Sequence, residues 1–176
     1  MLAQCLLNRG LHEPEAIGGF LEPRLKHLGD PFDIPDMARA VDRLWTARDR
    51  GQPVVIFGDY DVDGVTSTAL LLEVLRGLGW SAEAYLPHRL DEGYGLSREA
   101  LENCLRKFPA SVLVAVDCGS GSAEPVEWLQ GRGVDVLVLD HHQVCQPAPP
   151  AFALVNPRAR PDPDAAAAGV GVGSCQ

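Results

Sequence analysis

Between Gly58 and Ser67 the sequence reads GDYDVDGVTS, so that carboxylates at Asp59, Asp61 and Asp63 run into Gly64. Like charges this closely spaced repel one another unless something neutralises them. The pattern D-x-D-x-D-G opens a calcium-binding EF-hand loop. Such a loop takes a bidentate glutamate at its twelfth position, which here is Leu70, and follows a helix, where PVVIF stands instead. Both departures exclude the calcium loop. Two further places carry side chains of the same kind. Asp117 closes the apolar run SVLVAVD, and Asp140, His141 and His142 close VDVLVLDHH.

The elements that must position these residues follow from the pattern around them. From Pro53 onward, apolar runs alternate with helical periodicity. PVVIFG reads as a buried strand and TSTALLLEVLRGLG as a helix opened by Thr66, Ser67 and Thr68; SAEAYLP is a second strand and SREALENCLRKF a second helix capped by Ser97. SVLVAVD, SAEPVEWLQGRG, VDVLVLD and FALVNP continue as strand, helix, strand and strand. Repeats of this length predict an α/β fold, a mostly parallel sheet with helices on both faces. The acids and imidazoles then fall at carboxyl ends of strands, the edge where open α/β sheets bind ligands.

Three segments therefore bring charge to one rim. Oxygen ligands with one or two imidazoles suit manganese, magnesium or iron better than a thiolate-rich zinc site. With at least four such ligands the pattern points to two divalent ions about 3.5–4 Å apart, which activate a water and clamp a phosphoryl group. Duller roles exist for each residue. A single Asp at a strand end is ordinarily a turn or helix cap, and the coincidence of three clusters is what favours metal. Asp59 either supports the ligands from outside their sphere or caps its loop. The hydroxyls of Thr66, Ser67 and Thr68, with nearby amides, could hold a phosphate or simply cap the helix. His12, His27 and His88 stand apart from the clusters.

Residues 1–50 differ, since LEPRLKHLGDPFDIP is broken by prolines while DMARAVDRLWTARDRG is helical, with Asp36 as its cap and Met37, Ala40, Val41, Leu44 and Trp45 on one face. We expect a helical N-terminal extension over 1–50, a sheet domain over 51–160 and a low-information tail over 161–176. At 176 residues and 46% hydrophobic, the chain supports one well-buried domain. Lysine and arginine number 15 against 24 acids, a net charge of −9, which gives no general basic surface for nucleic acid. A groove can still be locally basic. No apolar run reaches a membrane span and the start lacks a signal-peptide pattern, so a cytoplasmic protein with no membrane partner is expected. The five cysteines are scattered and never form C-x-x-C, which indicates reduced thiols rather than a disulfide framework or zinc knuckle.

In order along the chain, GDYDVDGVTSTALL, VDCGS and LDHH resemble the first three motifs of the DHH phosphoesterase superfamily. Within it, LLNRGL, FLEPRLKHLGDPF, DMARAVDRL and PHRLDEGYGL resemble the RecJ branch of single-stranded-DNA-specific exonucleases. The resemblance runs from about Leu6 to Arg160. It implies a 5′-to-3′ exonuclease of recombination and repair that hydrolyses phosphodiester bonds with manganese or magnesium and takes single-stranded DNA. By position, it implies that Asp61, Asp63, Asp117 and His141 are metal ligands. It further implies that His142 contacts the scissile phosphate and that Asp140 orients the histidines. Phe57 stands where the pyrophosphatase branch carries a metal-binding histidine, which weakens that branch. The family's fourth motif, its DHHA1 domain and its OB-type domain do not follow in this sequence. The chain is accordingly expected to be an N-terminal part of a longer protein.

Two enzyme readings and one binding reading compete. A DHH phosphodiesterase of short oligonucleotides would share the motifs but not the N-terminal stretch. A haloacid-dehalogenase phosphatase also uses D-x-D after a strand, but it places its nucleophilic Asp directly after the apolar run, where GDY intervenes here. The third reading is a part that holds metal and cleaves nothing.

Overall fold

The computed structural model describes residues 1–93 and 95–159. The chain divides between Asp33 and Ile34 into two compact units. The first holds α1 (Leu2–Leu7), α2 (Pro14–Leu21) and short 3-10 turns at Leu25–His27 and Pro31–Asp33. Pro14 at the first helical position of α2 loses nothing there, because that amide has no partner in a helix anyway.

The second unit begins with α3 (Met37–Asp49) and continues β1 (Val54–Gly58), α4 (Val62–Gly77), β2 (Ala82–Tyr85), α5 (Arg89–Glu92), α6 (Arg98–Lys107), β3 (Val112–Val116), α7 (Ala123–Gln130), β4 (Asp135–Leu139) and β5 (Ala153–Val155). The five strands are all parallel, in the order β2-β1-β3-β4-β5. Alternate strand residues serve opposite faces. Val55, Phe57, Leu113, Ala115, Val136 and Val138 pack with α6 and α7, whereas Val54, Ile56, Val112, Val114 and Leu137 pack with α3 and α4. Each valine, leucine, isoleucine or phenylalanine among them, fully withdrawn from water, contributes about 1.5–3 kcal/mol. The expected α/β class with helices on both faces is the observed one.

Several local expectations change. Helix α3 belongs to the sheet unit, so the division falls ahead of it and not at residue 50. Its Arg43 is buried and holds Asp135 at the start of β4 through a 2.6 Å ion pair. Asp36 does not cap α3 with its side chain: its backbone is left-handed (φ 57) and its carboxylate accepts from the Leu154 amide at 3.0 Å. Ser97 does cap α6, accepting from the Ala100 amide at 3.1 Å. Cys5, Cys104 and Cys118 are free thiols, but Cys145 is disulfide-bonded, against the expectation of reduced cysteines throughout. The expected tail of 161–176 lies outside the described residues, and no described helix is long and apolar enough to cross a membrane.

Candidate metal centre

Register decides where the polar residues meet. Gly58, Val116, Leu139 and Val155 are partners across four neighbouring strands. The next residue on each is therefore Asp59, Asp117, Asp140 and Asn156, a polar row along one edge of the sheet. All four are buried. An edge of buried acids has no stability rationale of its own, because each carboxylate must be compensated by donors or cations.

Asp140 is compensated by donors. Its Oδ1 accepts from the His141 amide at 2.7 Å, the His142 amide at 3.1 Å and His142 Nδ1 at 2.7 Å, and its Oδ2 from the Ser120 amide at 3.0 Å. Burial alone would push its carboxyl up, but these bonds from Ser120 and His142 hold it below the usual carboxylate range. The same contact raises His142, whose imidazole gains a carboxylate partner. Asn156, wholly buried, donates to Ser120 Oγ at 2.8 Å and to the His142 carbonyl at 2.9 Å. Asp140, Ser120 and Asn156 thus fix the orientation of His142.

Asp117 is compensated differently and incompletely. Its amide still donates to Leu139 at 3.0 Å, then the backbone turns out of the strand with φ 60. Oδ1 lies 3.0 Å from His141 Nε2, while Oδ2 is buried without a partner. The Asp61 carboxylate is near enough to act on it electrostatically. Burial first, and then Asp61, push the Asp117 carboxyl up. Asp61 is itself held low, chiefly because its Oδ1 accepts from the Gly64 amide at 2.9 Å as the cap of α4. Carboxylates only accept hydrogen bonds, so two of them abutting at neutral pH require a shared proton or a cation between them.

Donor atoms of Asp117, Asp140, His141 and His142 all lie within 4.8 Å of one another. The residues fit a divalent ion: hard oxygens, two imidazoles, an orphaned buried oxygen on Asp117 and a neighbouring carboxylate from Asp61. Asp63 is exposed in the first turn of α4 and is not among that set. Asp59 is wholly buried, with Oδ1 on the Tyr60 amide at 2.7 Å and Oδ2 unpartnered.

The three hydroxyls do not open α4. Asp61 caps the helix, which therefore starts at Val62 and places Thr66, Ser67 and Thr68 in its second turn. Thr66 Oγ1 donates back to the Val62 carbonyl at 2.7 Å, Thr68 Oγ1 is buried unpartnered, and Ser67 lines a cavity of about 290 Å³ beside Asp117, Asp140 and His141. Sequence reasoning missed Ser120 and Asn156. The signal was available for Asn156 in VNP, a polar residue closing an apolar run like the acids do.

A parallel α/β sheet whose carboxyl edge gathers buried acids beside two exposed histidines defines a class of proteins built to hold a divalent metal there. The DHH family, N-terminal domain, matches residues 53–174, and the chain belongs to that family. Among curated relatives, the single-stranded-DNA-specific exonuclease RecJ of Haemophilus influenzae is 42% identical over 138 residues, 78% of this chain and 24% of that protein. RecJ of Bacillus subtilis is 33% identical over 158 residues, 90% of this chain and 20% of that protein. The crystal structure of exonuclease RecJ bound to manganese matches with a TM-score of 0.69 at 33% identity, covering 77% of this chain and 34% of that one. RecJ of Thermus thermophilus in complex with Mn2+ matches at 0.66 and 28% identity, over 89% of this chain and 21% of that one. The chain spans about a fifth to a quarter of the length of these curated relatives.

Proposed function

We propose that this chain carries the metal-binding part of a single-strand-specific DNA exonuclease that hydrolyses phosphodiester bonds with Mn2+ or Mg2+. The observation that carries this reading is the convergence of Asp117, Asp140, His141 and His142 donor atoms within 4.8 Å of one another, with Asp117 Oδ2 buried and unpartnered. The relatives of the same family are named as single-stranded-DNA exonucleases, and two solved ones hold manganese. Asp61, Asp117 and His141 would hold the ion, and Asp63, exposed on the neighbouring turn of α4, would reach a second. Divalent ions bound there supply Lewis acidity toward a phosphoryl oxygen and a more acidic water.

The chain's own residues do the remaining work. Asp140 keeps His142 Nδ1 engaged, which turns Nε2 outward as a donor toward a phosphate and favours its protonated form. Asp59, buried at the end of β1, supports the turn that carries Asp61. Ser67, which lines the cavity beside Asp117 and His141, would offer its hydroxyl to a phosphate oxygen. A 5′-phosphorylated single-stranded oligonucleotide with manganese tests the reading. Release of mononucleotides that Asp63→Ala and Asp117→Ala each reduce by more than tenfold supports it. Undiminished release in both variants refutes it.

A further inference from the structure

One buried acid takes no part in this chemistry. Glu92 is only 8% exposed and ends the single turn of α5. Its carboxylate accepts from the Tyr85 hydroxyl, from Asn103 Nδ2 at 2.5 Å and from the His88 amide at 2.7 Å, while Ser97 Oγ donates to its carbonyl at 2.6 Å. All four partners are neutral donors. Only a group that accepts and never donates satisfies three donors at one carboxyl; a glutamine would turn an NH2 toward one of them. The bonds hold the carboxyl below its ordinary range although burial opposes this. One residue thereby ties the end of β2, the start of α5 and the first turns of α6 together. Among its described residues, 86–93 and 95–97, the connection has no strand pairing of its own, so this clasp and the buried Leu96 are its restraints.

The clasped connection lies against two acid-bearing turns. A Cβ built on Gly58 would stand 2.9 Å from Leu86 Cδ2, just before Asp59. One on Gly119 would stand 3.2 Å from Leu96 Cδ1, and one on Gly95 would stand 4.0 Å from Cys118 Cβ. Leu96 and Cys118 are both buried. The turn they pack is a demanding one, since Asp117 (φ 60) and Gly119 (φ 108) both lie in the left-handed region. For a residue with a side chain that conformation persists only where its surroundings enforce it.

We infer that Glu92 is a positioning residue for the metal edge. Its carboxylate clasps the segment that leads into Gly95 and Leu96, and those two residues hold the Asp117–Gly119 turn in the conformation that presents Asp117. This rests on the metal reading given above.

The test uses the full 176-residue chain, Mn2+ itself as the probe and two measurements, calorimetric affinity and amide exchange over 95–119. Glu92→Gln weakens Mn2+ binding about threefold to tenfold and speeds exchange in that stretch, the modest end of effects transmitted through supporting residues. Tyr85→Phe keeps the ring stacked on Phe57, removes one donor and shifts affinity in the same direction, which covers the case in which Glu92→Gln does not fold. Arg43→Ala breaks the Arg43–Asp135 pair at the opposite edge and controls for general loss of stability; its Mn2+ affinity stays within about twofold. Wild-type affinity in both clasp variants overturns the inference, as does an equal loss in Arg43→Ala. A folded wild-type chain that binds no Mn2+ overturns the metal reading itself, so the two failures are told apart.

Discussion

Asp117 sits in a backbone region that asparagine enters at least as readily as aspartate. Asp117→Asn therefore removes the charge without adding strain, and Mn2+ affinity should fall by about a hundredfold. Stability without metal should hold or rise, because the substitution also removes the repulsion from Asp61. Calorimetry together with melting curves checks both, and Mn2+ affinity within tenfold of wild type contradicts the assignment. The neighbouring His142 offers a pH test. Its pKa is raised by Asp140, so protonated His142 contributes stability in full below its ordinary value near 6.5, and that contribution is lost as pH rises through the raised folded value. Proton NMR of the metal-free chain should show His142 titrating above its ordinary value and returning toward it in Asp140→Asn. An unmoved titration would mean that the 2.7 Å contact does not govern it. At this scale the sequence brought out the acids and histidines through the coincidence of three clusters at strand ends, since a single one has ordinary capping uses, as Asp61 shows. It was silent on Ser120, whose amide and hydroxyl act through folded neighbours that lie 20 and 36 residues away.

Helix α4 shows what an element adds. Its first turn packs so closely on β1 that a Cβ on Gly64 would stand 2.4 Å from the Asp59 carbonyl oxygen, and backbone cannot move aside cheaply. Gly64→Ala should cost about 1–3 kcal/mol, the range for overpacking, and should displace the Asp61 cap with it. Gly77 ends the same helix with open space around it, so Gly77→Ala should stabilise by about 0.5–1 kcal/mol. Urea unfolding of the pair decides the matter; equal effects would mean that the close approach at Gly64 is unimportant. The contrast also explains which boundaries were legible. The buried strands read directly as apolar runs, and Ser97 announced α6. The start of α4 was misplaced because Asp61 serves two ends at once, as cap and as candidate ligand, and the cap was read from Thr66 instead. The single turn of α5 carries no periodicity for a sequence to display, and what holds it is the long-range clasp at Glu92.

At the scale of the molecule the acids raise a question of balance. The chain carries a net charge of −9, and its sheet edge concentrates buried carboxylates, of which Asp59 and Asp117 each keep an unpartnered oxygen. A metal that binds the folded chain and not the unfolded one stabilises it by mass action, by about 2.7 kcal/mol at a concentration one hundred times its dissociation constant. For a chain of this size that corresponds to a rise in melting temperature of roughly 5–10 °C. Manganese and magnesium should both produce the shift, chelation should reverse it, and calcium should do less if the site is small and rigid. The shift should vanish in Asp117→Asn but persist in Arg43→Ala, whose ion pair lies at the other edge of the sheet. Raising monovalent salt should weaken the repulsion among exposed acids, yet it should leave most of the manganese effect, because the buried Asp117 carboxylate is poorly screened. Melting curves that manganese leaves unmoved, in a chain shown to be folded, would mean that the edge is compensated by protons and that its acids do not meet a metal.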